Sequence, residues 1–212
     1  GESSTLVDAV EVVGAVSAGF SSEFVSLPDL ARPGRVVNLV IRYANEGTGD
    51  LASPLLRLDC GKPTCEWQVD EDGRWQVGRV AQVMALSSEG PPAILRAGQV
   101  ETITVKLRIP FGPDSVKVRL SQIGADASDP MSTPIDWEAV RHELFPEGIN
   151  AYVWTTLTAS IGDTWGDYLG ALREVATRMA ALGWLTRDGQ WLFNQLLDEA
   201  AGIGPGTVSG RL

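Results

Sequence analysis

Two segments of the chain repeat one pattern of apolar and polar positions. Residues 34–44 open at a turn glycine, Gly34, preceded by Arg32 and Pro33; residues 98–109 open at Gly98, preceded by Arg96 and Ala97. In the first, Val37, Leu39, Ile41 and Tyr43 are apolar, with Asn38 and Arg42 among the residues between them. In the second, Ile103, Val105, Leu107 and Ile109 alternate with Thr102, Thr104, Lys106 and Arg108. Side chains along a strand point to opposite faces with period two, so each segment has one greasy face and one wet face. That is the expectation for strands in two packed layers.

Weaker signals extend the set. Leu6, Val10, Val12 and Val16 suggest a strand over residues 5–16, and residues 23–26 a short edge strand before Pro28. Residues 55–58 read as a strand running into a cysteine turn. Residues 75–86 are β-rich but alternate poorly, which suggests a bulge at Gly78. In residues 115–122, Val116, Val118 and Leu120 face in while Lys117, Arg119 and Ser121 face out. Phe111, Gly112, Pro113 and Asp114 make a hairpin-like turn before it. Seven or so short strands with turn signals between them predict an immunoglobulin-like antiparallel β-sandwich over residues 1–127.

The period changes after residue 130. Asp136 is placed to cap a helix carrying Trp137, Val140, Leu144 and Phe145, which Pro146, Glu147 and Gly148 end. Val153, Trp154, Leu157 and Ile161 mark a second helix. Gly162, Asp163 and Thr164 break and recap. Trp165, Tyr168, Leu169, Leu172, Val175, Ala176, Met179 and Leu182 then follow helical spacing, and Gly183 ends the run. Leu192, Phe193, Leu196, Leu197 and Ala200 mark the fourth helix. The expectation is a small four-helix bundle over residues 133–203, making the fold class α+β, with residues 204–212 a linker tail. The connection 127–134 is too short for free separation of two bodies. The helical part carries five of the 7 tryptophans, so some of Trp137, Trp154 and Trp165 are expected to contact the sheet or the linker.

The 212 residues carry a net charge of −10, spread along the chain. A nucleic-acid binder needs a basic footprint, so that class is excluded. No apolar run approaches the roughly 20 residues that span a bilayer. The start has neither a basic n-region nor an apolar core, and the chain reads as a fragment of something longer.

Cys60 and Cys65 enclose Gly61, Lys62, Pro63 and Thr64. A short loop holding Gly and Pro reads as a turn closed by a disulfide, with free thiols and half a zinc site as alternatives. A disulfide implies an oxidising, extracytoplasmic compartment. His142, the single histidine, lies off the apolar stripe of its helix and reads as a surface residue, not a triad member. No phosphate loop, nucleophile elbow or metal-ligand helix is present, and no metal or cofactor is expected. Two acidic turns, at Asp70, Glu71, Asp72 and Gly73 and at residues 45–50, fit no full calcium-loop pattern. Trp67 and Trp75 flank the first and are candidate ligand-facing aromatics. Lys106, Arg108, Lys117 and Arg119 form a basic stripe if their strands pair; otherwise they belong to a solvated face.

Arg32, Pro33 and Gly34, the strand to Tyr43, and Asn45, Glu46 and Gly47 carry a family resemblance, completed by Arg96, Ala97 and Gly98 with residues 102–105. Over roughly residues 30–125 the chain resembles bacterial immunoglobulin-like modules of the CARDB type, found in large secreted and surface proteins. The segments 132–137 and 162–168 look like a helical companion that follows such modules. The resemblance implies a non-catalytic spacer or adhesive role, outside the cell or on its surface. The expected partners are neighbouring domains of the same chain, or a cell-surface protein or glycan. The alternative is an extracellular carbohydrate-binding module, which a row of exposed tryptophans on one sheet face would favour.

Overall fold

The computed structural model describes residues 19–26, 34–70, 73–109, 116–125, 131–145 and 148–202. The expected strand over 5–16, the turn at 111–114, the residues Glu71 and Asp72 and the tail 204–212 lie outside the described residues. So does the first half, 127–130, of the 127–134 connection.

The chain is α+β, with antiparallel sheets and four helices among the described residues. The strands are Phe20–Ser26 (β1), Val36–Asn45 (β2), Leu51–Ala52 (β3), Leu55–Asp59 (β4) and Glu66–Gln68 (β5). They continue with Gln76–Val77 (β6), Val80–Met84 (β7), Ile94–Leu95 (β8), Val100–Arg108 (β9) and Arg119–Ile123 (β10). The two repeated segments, β2 and β9, pair with each other at the middle of a five-stranded sheet ordered β1-β2-β9-β5-β6. Their register sets Leu39 opposite Val105 and Ile41 opposite Ile103, so both apolar faces coincide. A three-stranded sheet runs β10-β4-β7, and β3 pairs with β8. The poorly alternating segment 75–86 divides at Gly78 and Arg79 into β6 and β7, which join different sheets.

The two larger sheets share a core. Leu39, Ile41, Tyr43, Trp67, Ile103, Val105 and Leu107 of the first pack with Leu56, Leu58, Ala81 and Val83 of the second. Alternation then sends Leu55 of β4 and Met84 of β7 to the opposite face. There they enter a second core with Trp154, Leu157, Leu169, Leu172, Leu192 and Phe193. The helices that supply it are Trp137–Leu144 (α1), Ala151–Ile161 (α2), Trp165–Ala181 (α3) and Gly189–Ala200 (α4). The three-stranded sheet is therefore buried on both faces where the helices lie. Trp137 and Trp154 meet edge to face at 5.9 Å between ring centroids, and both belong to this core.

Each helix is capped by the polar residue at its start. Asp136 accepts from the Ala139 amide, Asn150 from Tyr152 and Val153, and Asp188 from Trp191. Thr164 and Asp167 form a reciprocal capping box. The start of α4 lies hard against β7. A Cβ on Gly189 would stand 2.8 Å from Gln82 Cβ and 3.1 Å from the Gln82 carbonyl oxygen. Gly189→Ala is therefore expected to cost about 2 kcal/mol, read as a lower urea midpoint. A Cβ on Gly170, in α3, would meet nothing within 4 Å, and Gly170→Ala should stabilise by up to about 1 kcal/mol. Equal midpoints for both variants would show that α4 does not pack this closely on the sheet.

Candidate functional site

The outer face of the three-stranded sheet carries the site. Cross-strand partners share a face, so this face is read in rows. Ile123, Leu55 and Met84 form the first row, Ser121, Arg57 and Gln82 the second, and Arg119, Asp59 and Val80 the third. The first row is covered by the helices. The second and third stay open and form a shelf, with α1 and α4 as its wall. Moving up the strands by two residues at a time takes the sheet from helix-covered apolar to polar and open.

Two recesses occupy the shelf and share Arg79. The larger, of about 340 Å³, lies between Arg57, Gln76 and Gln82 on the sheet side and Leu144, Phe145, Trp165, Gln190 and Asn194 on the helical side. The smaller, of about 260 Å³, lies beside the cysteine turn and is lined by Asp59, Lys62, Arg79, Lys117 and Arg119. The amides of the larger recess are set by their partners. Tyr168 Oη donates to Gln82 Oε1 at 2.6 Å, which leaves the Gln82 amide N–H groups for a ligand. Gln76 Nε2 donates to Asp188 Oδ2 at 2.5 Å, which leaves Gln76 Oε1 as an acceptor. Burial raises the Tyr168 phenol above its usual range against the opposing effect of that hydrogen bond, so it remains a donor at neutral pH. Burial also raises Asp188. Arg79 forms two hydrogen bonds to Asp59, and these hold the Asp59 carboxyl below its usual value. The guanidinium of Arg57 has no hydrogen-bond or ion-pair partner among the described residues.

A second polar cluster joins helices to sheets and is largely buried. The strap between α3 and α4 crosses the sheets, with Val83 bridged to Asp188 and the Met84 amide donating to the Arg187 carbonyl. Arg187 Nε donates to Tyr43 Oη at 3.0 Å, and its Nη2 to Glu101 Oε2 at 3.2 Å. Tyr43 in turn donates to the Leu86 carbonyl at 2.7 Å. Burial pushes the Tyr43 phenol up to about 12, with Arg187 opposing. Asp70, read as part of an acidic turn, accepts from Thr186 Oγ1 and from the Arg187 amide.

The sequence-predicted residues fall into place as follows. Cys60 and Cys65 are disulfide-bonded. Alkylation is expected to modify neither cysteine unless reductant is present, and reduction to cost about 2 kcal/mol, because a loop this short restricts the unfolded chain little. Two reactive thiols in oxidised protein would refute the bond. Trp67 is no ligand platform: it is 1% exposed in the first core and donates from Nε1 to the Gly78 carbonyl. Trp75 is partly buried, with the Arg108 guanidinium 4.4 Å from its ring centroid. The single basic stripe is not formed, because β9 pairs with β2 and β5 while β10 pairs with β4. Arg108 bonds Glu66 and covers Trp75, and Lys106 shares its strand; Lys117 and Arg119 line the recess by the disulfide. His142 is exposed on α1. Asn45 in the other polar turn is fully buried and donates to the Gly49 and Leu95 carbonyls, a structural staple. Arg57, Gln82 and Arg187 are the residues that sequence reasoning missed, while Trp165, read as a helix packing residue, also lines the larger recess.

No helix among the described residues is long and apolar enough to cross a membrane. No family model and no curated protein matches the chain. Among solved structures it is similar to AvmM, described as catalysing macrocyclization in alchivemycin A biosynthesis. That match has 15% identity and a TM-score of 0.35, over 53% of this chain and 78% of that one. It is similar also to the chitin-binding domain of Chi18aC from Streptomyces coelicolor, at 18% identity and TM-score 0.27, over 52% and 97% of the two chains. A PapD-like domain of human CEP192 matches at 14% identity and TM-score 0.24, over 60% and 99%.

Proposed function

We propose that the chain is a non-catalytic structural module of a large secreted or cell-surface protein. In this reading the two larger sheets form an immunoglobulin-like sandwich, and the four helices form a small bundle fused to it. The observation that carries the reading is the seam between them. The outer residues Leu55 and Met84 belong to the helical core, and Arg187 reaches from the strap between two helices to Tyr43 and Glu101 of the sheet. Apolar burial and a buried charge-assisted tie at one seam make a single mechanical body, which suits a module that transmits load or holds spacing. The disulfide suits an oxidising location.

Pulling on single molecules tests this. Residues 19–202 are expected to rupture in one event releasing about 600 Å of chain. Two separate ruptures, one for the sheets and one for the helices, would make them independent beads and overturn the reading.

A second reading, an extracellular glycan-binding module, is favoured by the larger recess. Four side-chain amides with both donors and acceptors stand beside Trp165 and Phe145 in one groove. A polyol needs that mixture, because each hydroxyl both donates and accepts.

A further inference from the structure

We propose that the shelf binds an acidic polysaccharide, with Arg57 as the residue that selects its anionic groups; the proposal rests on the glycan-binding reading. The chain carries a net charge of −10, yet five of its 17 lysines and arginines gather here: Arg57, Lys62, Arg79, Lys117 and Arg119. Among the described lining residues of the two recesses there is one carboxylate, Asp59, in the smaller one, and Arg79 holds it. The field over the shelf is therefore opposite in sign to that of the whole chain, and recessed walls focus it.

The cations are ordered by the sheet. Arg119 stands opposite Asp59 and Arg57 opposite Ser121, which puts Arg57 and Arg119 on one diagonal of the same face. Their Cβ atoms are then roughly 7–8 Å apart, within reach of one short stretch of polymer. Arg57 is half-buried and lines the larger recess with Gln76 and Gln82; the charge of Asp59 reaches it, but no carboxylate among the described residues bonds its guanidinium. A guanidinium in that state pairs with a ligand carboxylate or sulfate through two parallel hydrogen bonds. Gln82 offers donors and Gln76 an acceptor to hydroxyls on either side of that anion. Trp165 and Phe145 close the helical side with apolar surface for the C–H faces of a ring.

An acidic peptide would satisfy Arg57 but would leave the amides without hydroxyls to bind. A glycoside hydrolase needs a pair of carboxyl groups across the scissile bond, and the larger recess has none among its lining residues. The site is one of retention.

The test is affinity electrophoresis of the full chain in gels containing polygalacturonate, heparin, dextran or polyglutamate. Retardation by polygalacturonate or heparin, weakening with salt and absent in dextran and polyglutamate, is expected. Arg57→Gln should weaken it roughly tenfold, the worth of one charge-assisted pair. Lys106→Gln, on the other sheet, should leave it unchanged. Equal retardation by polyglutamate, or none lost in a folded Arg57→Gln variant, would overturn the proposal. Dextran bound as tightly as polygalacturonate would overturn the acidic selectivity while leaving the glycan reading standing. No retardation in any polysaccharide would remove both.

Discussion

Replacing Arg187 with methionine is expected to lower the unfolding free energy by about 3 kcal/mol, read from urea denaturation. Glu101 sits beneath it with a side chain 9% exposed. It also accepts from the Ser88 amide, the Ser88 hydroxyl and Gln99 Nε2. Those donors fix the carboxylate in place, so removing the guanidinium takes away its cationic partner in a poorly solvated place. Tyr43, fully buried, loses a donor to its hydroxyl at the same time. The cost is the orphaned charge more than the lost contact. Arg187→Met combined with Glu101→Gln should therefore recover part of the loss, whereas two independent sites would add. An unchanged midpoint in the single variant would mean that the tie does not close in solution.

Trp67→Ala should be as damaging, at about 3–5 kcal/mol, because it empties the largest side chain of the first core. It also frees the Gly78 carbonyl at the break between β6 and β7. Against a typical total of roughly 5–15 kcal/mol, that places the variant near its folding threshold at room temperature. Trp75→Ala loses one cation–π contact at a partly buried site, worth about 1 kcal/mol. Thermal melting of the two variants separates the tryptophans. Comparable losses at both positions would contradict the buried placement of Trp67.

The long regular elements are legible in the sequence because a period needs length to show. Nine or ten alternating residues suffice for β2 and β9, and the caps Asp136 and Thr164 mark the starts of α1 and α3. The strands β3, β5 and β8 hold two or three residues each, too few to carry a period. Trp67 sits on one of them, so nothing local distinguishes it from a surface aromatic. The pairing of Lys106 and Arg108 with Lys117 and Arg119 fails for another reason. Nearness in sequence suggests a hairpin, but β9 is already flanked by β2 and β5. The shelf is hidden more deeply: Arg57 and Gln82 are cross-strand partners 25 positions apart, and Trp165 comes from a helix. Arg187, in the short connection 182–188 between α3 and α4, carries no local signal, because its partners are remote in the chain.

That remoteness has a kinetic consequence. Arg187 is 86 residues from Glu101 and 144 from Tyr43, while each helix cap closes within a few residues of itself. Contacts that close large loops recover their entropic cost only after the intervening chain is in place. The strap thus acts as a late latch, set after sheets and helices have formed and released before they come apart. In stopped-flow measurements the Arg187→Met loss should appear as faster unfolding, with the refolding rate nearly that of the parent. The persistence of the fold over time, more than its ability to form, is then held in one side chain between two helices.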